Sequence, residues 1–366
     1  MFVRRIKKKD PFPPLPSLSD LGYTLTNYGL FHKERGALNF FEHIQCYFLS
    51  KEHYRLLLKS NTSPELVYAA LQRACKAEII SSLGLSPCQI PIDASPSDPK
   101  CLIYSTPGIW DHIPIAKAGL ENGSVLSLVP KLVELDYGVV LLNQNENYYN
   151  ATSNDSMTII NYSKFDTIIK ESNTPDSHLL YTWDNVIRKS ASKKIVYITS
   201  DFNGQYTLNL MESRFKPFVD RVCGILAIKS SHSISDLSLE SVAWMRSNFI
   251  NFSYNLVGEG PGEFSSQLGC RSYFPAEKKE SPESEKTEYK THLAVFLEDQ
   301  IIDQVKSMFK KGPTNFETIL EISSALELED EFSDLKISDS ESNSYSSPSG
   351  IDPDLTWPLD YKDTSE

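Results

Sequence analysis

The sequence predicts a doubly wound α/β fold with a mostly parallel sheet, and three observations carry that expectation. Between residues 100 and 230, the apolar runs "CLIYS", "YGVVLLN", "KIVYITS" and "VCGILAIKSS" are separated by the amphipathic stretches "VLSLVPKLVELD", "DSHLLYTWDNVIRKSAS" and "GQYTLNLMESRF". The runs are apolar almost throughout, as strands covered on both faces are. The junction "IVYITSDFNGQYTLNLM", residues 195 to 211, passes from strand to helix through a tight turn. Right-handed connections would then place helices on both sides of the sheet.

Taken in order, residues 1–20 are basic and then proline-rich and read as a flexible arm. A single domain is expected over 21–323. "GYTLTNYGLF" reads as strand and turn, with a second short strand around "ALNFFEHI". "SPELVYAALQRACKAEII" has helical spacing, with Ser63 as N-cap, Pro64 at the first helical position, and Leu66, Ala70, Leu71, Ala74 and Ile79 on one buried face. "YGVVLLN" is expected as a fully buried strand ending in "NQNENYY". Asn143, Asn145, Glu146 and Asn147 then lie past the C-terminal end of a strand, where open α/β sheets bind ligands. Asn side chains in such a turn equally serve its own backbone groups.

After a Ser/Thr/Asn-rich insertion near 150–175, the helix over 176–192 is expected to be capped by Asp176 or Ser177. "SLESVAWMRSNF" reads as a further helix and "GEGPGEF" as a loop. That loop is no phosphate cradle, because Glu259 and Glu263 would repel an anion and no strand immediately precedes it. Residues 277–290 form a charged linker. "THLAVFLEDQIIDQVKSMF" reads as a helix that docks back on the sheet, with His292 on it. Residues 324–366 hold twelve acidic residues and two lysines among many serines and read as a disordered tail.

Composition narrows the function classes. With 40% hydrophobic and 11% aromatic residues the 366-residue chain is globular, and it has no apolar run near the roughly 18 residues a membrane span needs. The basic N-terminus lacks the apolar core of a secretory signal. The six cysteines are dispersed without a Cys-x-x-Cys, so reduced, buried thiols in a nuclear or cytosolic protein are expected, with neither metal nor cofactor. The net charge of −12 is split between a +4 cluster in residues 1–10 and −10 over 324–366. The acidic body lacks the basic face that dominates nucleic-acid affinity. Arg4, Arg5, Lys7, Lys8 and Lys9 form a solvated arm, although such a cluster also suits RNA contact or nuclear import.

The strand-to-helix junction carries the chemistry. In an α/β-hydrolase the nucleophile occupies a G-x-S-x-G turn. Laid on this chain, that motif puts Asp201 at the nucleophile position, with Thr199 and Asn203 where glycines belong and Gly204 one residue further on. A carboxylate is a competent nucleophile only with a histidine base and an orienting acid. Otherwise Asp201 serves as a capping carboxylate for the helix that follows.

Three segments then become specific. "YGVVLLNQNENYY", "HLLYTWDNVIRKSASKKIVYITSDFNG" and "ILAIKSSHS" resemble the Arb-two family, α/β-hydrolase-like domains that occur in the small Argonaute-binding subunit of the fungal Argonaute siRNA chaperone complex. Similar domains occur in fungal class II histone deacetylases and animal cotranscriptional regulators. The resemblance covers roughly residues 21–310. It implies a degenerate α/β-hydrolase-like domain, in which the elbow reads Ser200, Asp201, Asn203 and Gly204, the acid position reads Lys229, and the late histidine falls near Ser284. His232 lies just past the strand, and a rescued triad would use Asp201 with His232 and a further acid.

The resemblance further implies a pseudo-hydrolase scaffold that binds Argonaute and a companion Argonaute-binding subunit and meets siRNA only through Argonaute. That role belongs to RNA-interference-directed heterochromatin assembly, histone methylation and siRNA maturation, in nucleus and cytoplasm. The alternative is a divergent hydrolase with Asp201 as nucleophile. Partner-binding candidates are Asn145 and Glu146, and in the tail Trp357 as an apolar hook with Leu355, Leu359 and Tyr361. That tail segment equally suits docking on its own domain or on the companion subunit.

Overall fold

The computed structural model describes residues 16–37, 64–85, 89–92, 101–102, 108–150, 155–158, 167–253, 260–274 and 291–337. The chain divides into two compact units, 1–323 and 324–366. An antiparallel meander opens the described chain: β1 (Tyr23–Thr26), β2 (Gly29–His32) and β3 (Gly36–Ala37). It shares a core with α1 (Pro64–Leu83), whose Val67, Ala70, Leu71, Cys75 and Ile79 are buried on one face. The short pair β4 (Gln89–Ile90) and β5 (Cys101–Leu102) follows, then α2 (His112–Ala118) and α3 (Leu128–Glu134).

β6 (Glu146–Asn150), β7 (Asp155–Thr158) and β8 (Thr167–Ile168) make a second small antiparallel sheet in the Asn-rich region that the sequence presented as turn and insertion. α4 (Pro175–Thr182) continues into a single π turn, Trp183–Ile187. Its N-cap is Thr174, not Asp176 or Ser177. Thr174 accepts from the Ser177 amide, and the Ser177 hydroxyl accepts from the Thr174 amide in return.

The central sheet is built from β9 (Ile195–Ser200), β10 (Val222–Ile228), β11 (Phe249–Phe252), β12 (Gly260–Ser265) and β13 (Cys270–Phe274) in the order β12-β13-β11-β10-β9. All neighbours run parallel except β12, which pairs antiparallel to β13 at one edge. Between them lie α5 (Asn203–Ser213), α6 (Phe215–Val219) and α7 (Leu239–Asn248), the last capped by Ser238. "GEGPGEF" is thus a strand from Gly260 on. Pro261 is tolerated because β12 is an edge strand with a register shift before Phe264.

Both faces of the sheet are covered. On one, β10 and β11 meet α3, α8 (Leu293–Phe296) and α9 (Glu298–Lys311) through Leu128, Leu226, Ile228, Phe252, Ile301 and Val305. On the other, Tyr197 of β9 joins an aromatic cluster of Trp183, Phe218 and Trp244. The mixed α/β architecture with a largely parallel central sheet is therefore present, and the amphipathic helix at 298–311 docks on it. α10 (Phe316–Ile337) runs past residue 323, so helix replaces the expected tail as far as Ile337. No helix among the described residues is long and apolar enough to cross a membrane.

One expected strand forms no ladder among the described residues. "YGVVLLN" lines the same cavity as β9 and has no assigned secondary structure, and Val140 is 57% exposed. A cavity lies between it and β9. Its lining includes Val140, Leu141 and Leu142 on one side and Val196, Tyr197 and Ile198 on the other.

Candidate functional site

The C-terminal ends of β9 and β10 end alike. Asp201 directly follows β9 and Lys229 directly follows β10, and both adopt left-handed backbone, with φ of 51° and 55°. Left-handed non-glycine residues are uncommon and cost free energy, so surrounding bonds must hold them. The Asp201 amide donates to the Ile228 carbonyl at 2.9 Å and the Lys229 amide to the Phe252 carbonyl at 2.7 Å. The parallel ladder thus extends one residue past each strand before the chain turns away. Because Ser200 is in register with Ile228, the two strained residues are neighbours across the sheet.

Their side chains form an ion pair, Lys229 Nζ to Asp201 Oδ1 at 3.6 Å, with each about one-third to one-half exposed. Partial burial raises the Asp201 carboxyl above its ordinary pKa, Lys229 opposes that rise, and Asp111 adds to it. Asp201 is therefore not the helix cap. α5 begins after Phe202, which supplies no side-chain cap bond, and the Asp201 carboxylate is turned to Lys229 instead. Gly204 is required by packing: a Cβ there would stand 2.0 Å from Ser230 Oγ and 2.9 Å from Ser230 Cβ. Ser200 is buried, and Asn203 lines the cavity beside β9.

His232 is buried, and both its ring nitrogens are occupied. Nε2 lies 2.8 Å from the Leu268 carbonyl, which can only accept, so Nε2 carries the proton and Nδ1 accepts from the Ser230 hydroxyl at 2.8 Å. Burial lowers its pKa, and its ring packs on Phe249. The expected pairing of His232 with Asp201 is absent: one carboxylate faces a lysine, and the imidazole ties the Ser230 turn to Leu268.

Sequence reasoning placed His292 on a helix. It is instead the N-cap of α8, in extended backbone, with Nδ1 accepting from the Ala294 amide at 3.2 Å. Its own amide donates to Asn122, and its ring stacks on Trp110 at 5.9 Å. Burial pushes its pKa down to about 4, helped by the nearby Lys229 ammonium. The neutral ring therefore carries its proton on Nε2, which has no partner among the described residues. The signal that could have found it is a histidine directly ahead of the last amphipathic helices, and the unaligned charged linker hid it. In neither His232 nor His292 is a basic ring nitrogen free.

The Asn-rich turn divides. Asn145 is exposed, whereas Glu146 is buried in β6 and accepts from the Ser156 hydroxyl, so Glu146 is not a surface contact. Asn147 donates to the carbonyls of Gln144 and Ser172, the turn-serving role. Ser284, Leu355, Trp357, Leu359 and Tyr361 lie outside the described residues, as does Ser63. Cys75, Cys223 and Cys270 are free and buried. Among the described residues no cluster of three or more His, Cys, Asp or Glu is arranged to hold a metal.

Residues 105–256, which contain β9, the Asp201 turn and β10, match the family model of the Arb2 domain. The chain carries an Arb2 domain. Its relatives include the cotranscriptional regulator ARB2A homolog of Xenopus tropicalis, 23% identical over 247 residues, which take in 51% of this chain and 57% of the relative. The human cotranscriptional regulator ARB2A is 22% identical over 246 residues, with the same shares. The Dictyostelium discoideum homolog is 25% identical over 149 residues, 36% of this chain and 39% of the relative. The chain thus spans little more than half the length of the vertebrate relatives. No solved structure matches. The Arb2 match ends before His292, so the Asp201–Lys229 pair belongs to the domain itself and His292 comes from the chain that follows it.

Proposed function

We propose that the chain is a non-catalytic scaffold subunit of a gene-regulatory complex, built on a degenerate α/β-hydrolase-like Arb2 domain. The observation that carries this reading is the elbow. Its carboxylate is committed to Lys229, and the nearby imidazoles present a proton or a satisfied nitrogen rather than a free base. General-base chemistry needs a basic group within hydrogen-bond reach of the reacting proton. Scaffolding needs only a stable fold and a surface.

In this reading the subunit holds Argonaute together with a companion Argonaute-binding subunit, in nucleus and cytoplasm. It serves RNA-interference-directed heterochromatin assembly, histone methylation and siRNA maturation. Regulator names among the relatives support a nuclear, protein-binding role, and the acidic body supports leaving siRNA to Argonaute. The alternative, a divergent hydrolase, draws on the left-handed φ of Asp201 at the nucleophile position. Asp201→Asn separates the two: a silencing reporter unchanged, with normal levels of the chain, supports the scaffold. Loss of silencing with the complex intact overturns it.

A further inference from the structure

The chain has no acid between Asp184 and Asp201, and the stretch "IRKSASKK" within that interval holds four cations. The fold gathers them in one place. The Arg221 guanidinium donates to the carbonyls of Ile187 at 3.1 Å, Arg188 at 2.7 Å, Ser190 at 3.2 Å and Ser192 at 3.0 Å. A guanidinium presents its donors in a fixed fork, so the loop is held in one shape. Its main-chain acceptors turn inward onto Arg221, and Arg188, Lys189, Lys193 and Lys194 stand exposed around it.

The same end of the sheet collects further positive charge. The Ile195 amide donates to the Arg221 carbonyl at 2.9 Å, so the loop sits where β9 and β10 begin. Lys194 Nζ donates to the Phe309 carbonyl at 2.8 Å, which brings up the last turn of α9 with its exposed Lys310. Lys311 extends the cluster towards β11, donating to the Ser247 carbonyl at 3.0 Å and to Asn248 Oδ1 at 2.9 Å. None of these cations pairs with a carboxylate among the described residues. Lys189 bonds the Asn185 amide oxygen, Asp184 is held by Arg214 at 2.9 Å, and Asp220 borders the cluster next to Arg221. Lysines at a helix C-terminus complement its dipole, which accounts for Lys310 and Lys311. Lys193 and Lys194 stand ahead of a strand, where the net dipole is small.

We propose that this basic end is a docking surface for an acidic segment of a partner protein, an extended run of Asp and Glu side chains. On a chain of net charge −12, cations gathered without counter-charges make a local field of the opposite sign. A short acidic segment brings its charge only where those cations stand. A nucleic-acid duplex reaches well beyond them and meets the acidic remainder of the body. The surface lies at the opposite end of β9 from Asp201, about 20 Å along the strand, so it does not depend on whether the elbow is catalytic.

Fluorescence anisotropy of a labelled oligoglutamate peptide, titrated with the full chain at low ionic strength, tests this. The wild-type chain should bind it, and Lys189→Glu/Lys193→Glu/Lys310→Glu should weaken binding roughly 10-fold or more. Lys33→Glu/Arg35→Glu/Lys170→Glu changes the net charge equally at exposed positions elsewhere and should leave binding within about two-fold of wild type. Lys189→Gln/Lys193→Gln/Lys310→Gln removes the charges without adding repulsion; it should weaken binding by a smaller factor and serves if the reversed chain does not fold. No binding by the wild type, or an equal loss in both charge-reversed chains, overturns the proposal. So does a labelled RNA duplex that binds the wild type more tightly than the peptide and loses that binding when Lys189, Lys193 and Lys310 are reversed.

Discussion

Alanine at position 204 sets two physical effects against each other. Gly204 is the second residue of α5, and helix propensity alone favours alanine there by about 1 kcal/mol. The Cβ would lie 2.0 Å from Ser230 Oγ and 2.9 Å from Ser230 Cβ, well inside contact distance. Moving the Oγ is not free, because it makes the 2.8 Å bond that satisfies buried His232 Nδ1. Leaving that nitrogen unpaired costs about 1–3 kcal/mol. Shifting α5 away from the 230 turn adds a further overpacking cost of about 1–3 kcal/mol. The balance is a loss of about 1–5 kcal/mol for Gly204→Ala, read as a lower urea midpoint by circular dichroism with unchanged slope. Ser230→Gly removes both clashing atoms, so the double variant should be no less stable than Ser230→Gly alone. A Gly204→Ala chain as stable as wild type, or two costs that simply add, would refute the packing account.

Three further outcomes follow from the same structure. Burial holds the His178 and His292 pKa at about 4, against an ordinary 6.5. The unfolded chain therefore takes up protons first, and stability is lost progressively as pH falls from about 6.5 towards about 4. Denaturation measured across that window should show a shallower loss for His292→Gln. Thr174→Ala removes the bond from the Ser177 amide to Thr174 Oγ1, leaving the main-chain half of the α4 capping box, and should cost about 1 kcal/mol in the same assay. Asp201→Asn breaks a half-exposed ion pair and should change stability by less than about 1 kcal/mol, which makes it usable as a functional probe.

The sheet was legible where burial on both faces wrote an unbroken apolar run, as in β9 and β10. It was illegible where composition argued the other way. The Gly- and Pro-bearing β12 survives only because it is an edge strand, and β6 hides its pairing among asparagines. "YGVVLLN" has the pattern of a strand, yet among the described residues it joins no ladder. At the site, Asp201 and Lys229 were both singled out but not as a pair, because their adjacency follows from the register of Ser200 against Ile228. The cap assignment failed for the same reason, since a left-handed Asp201 with a lysine beside it has a better partner than the helix amides. His292 needed the fold to bring α8 to Trp110 and Lys229.

The central claim, a domain that acts by binding, is tested most directly by a pull-down of Argonaute loaded with duplex siRNA on the purified full chain. Wild type is compared with the Asp201→Asn/His292→Gln double variant, with and without ribonuclease. The account predicts equal capture by both chains, with the companion subunit supplied, and capture that survives ribonuclease. Capture lost in the double variant while its unfolding transition is retained, or lost once the RNA is digested, would contradict it.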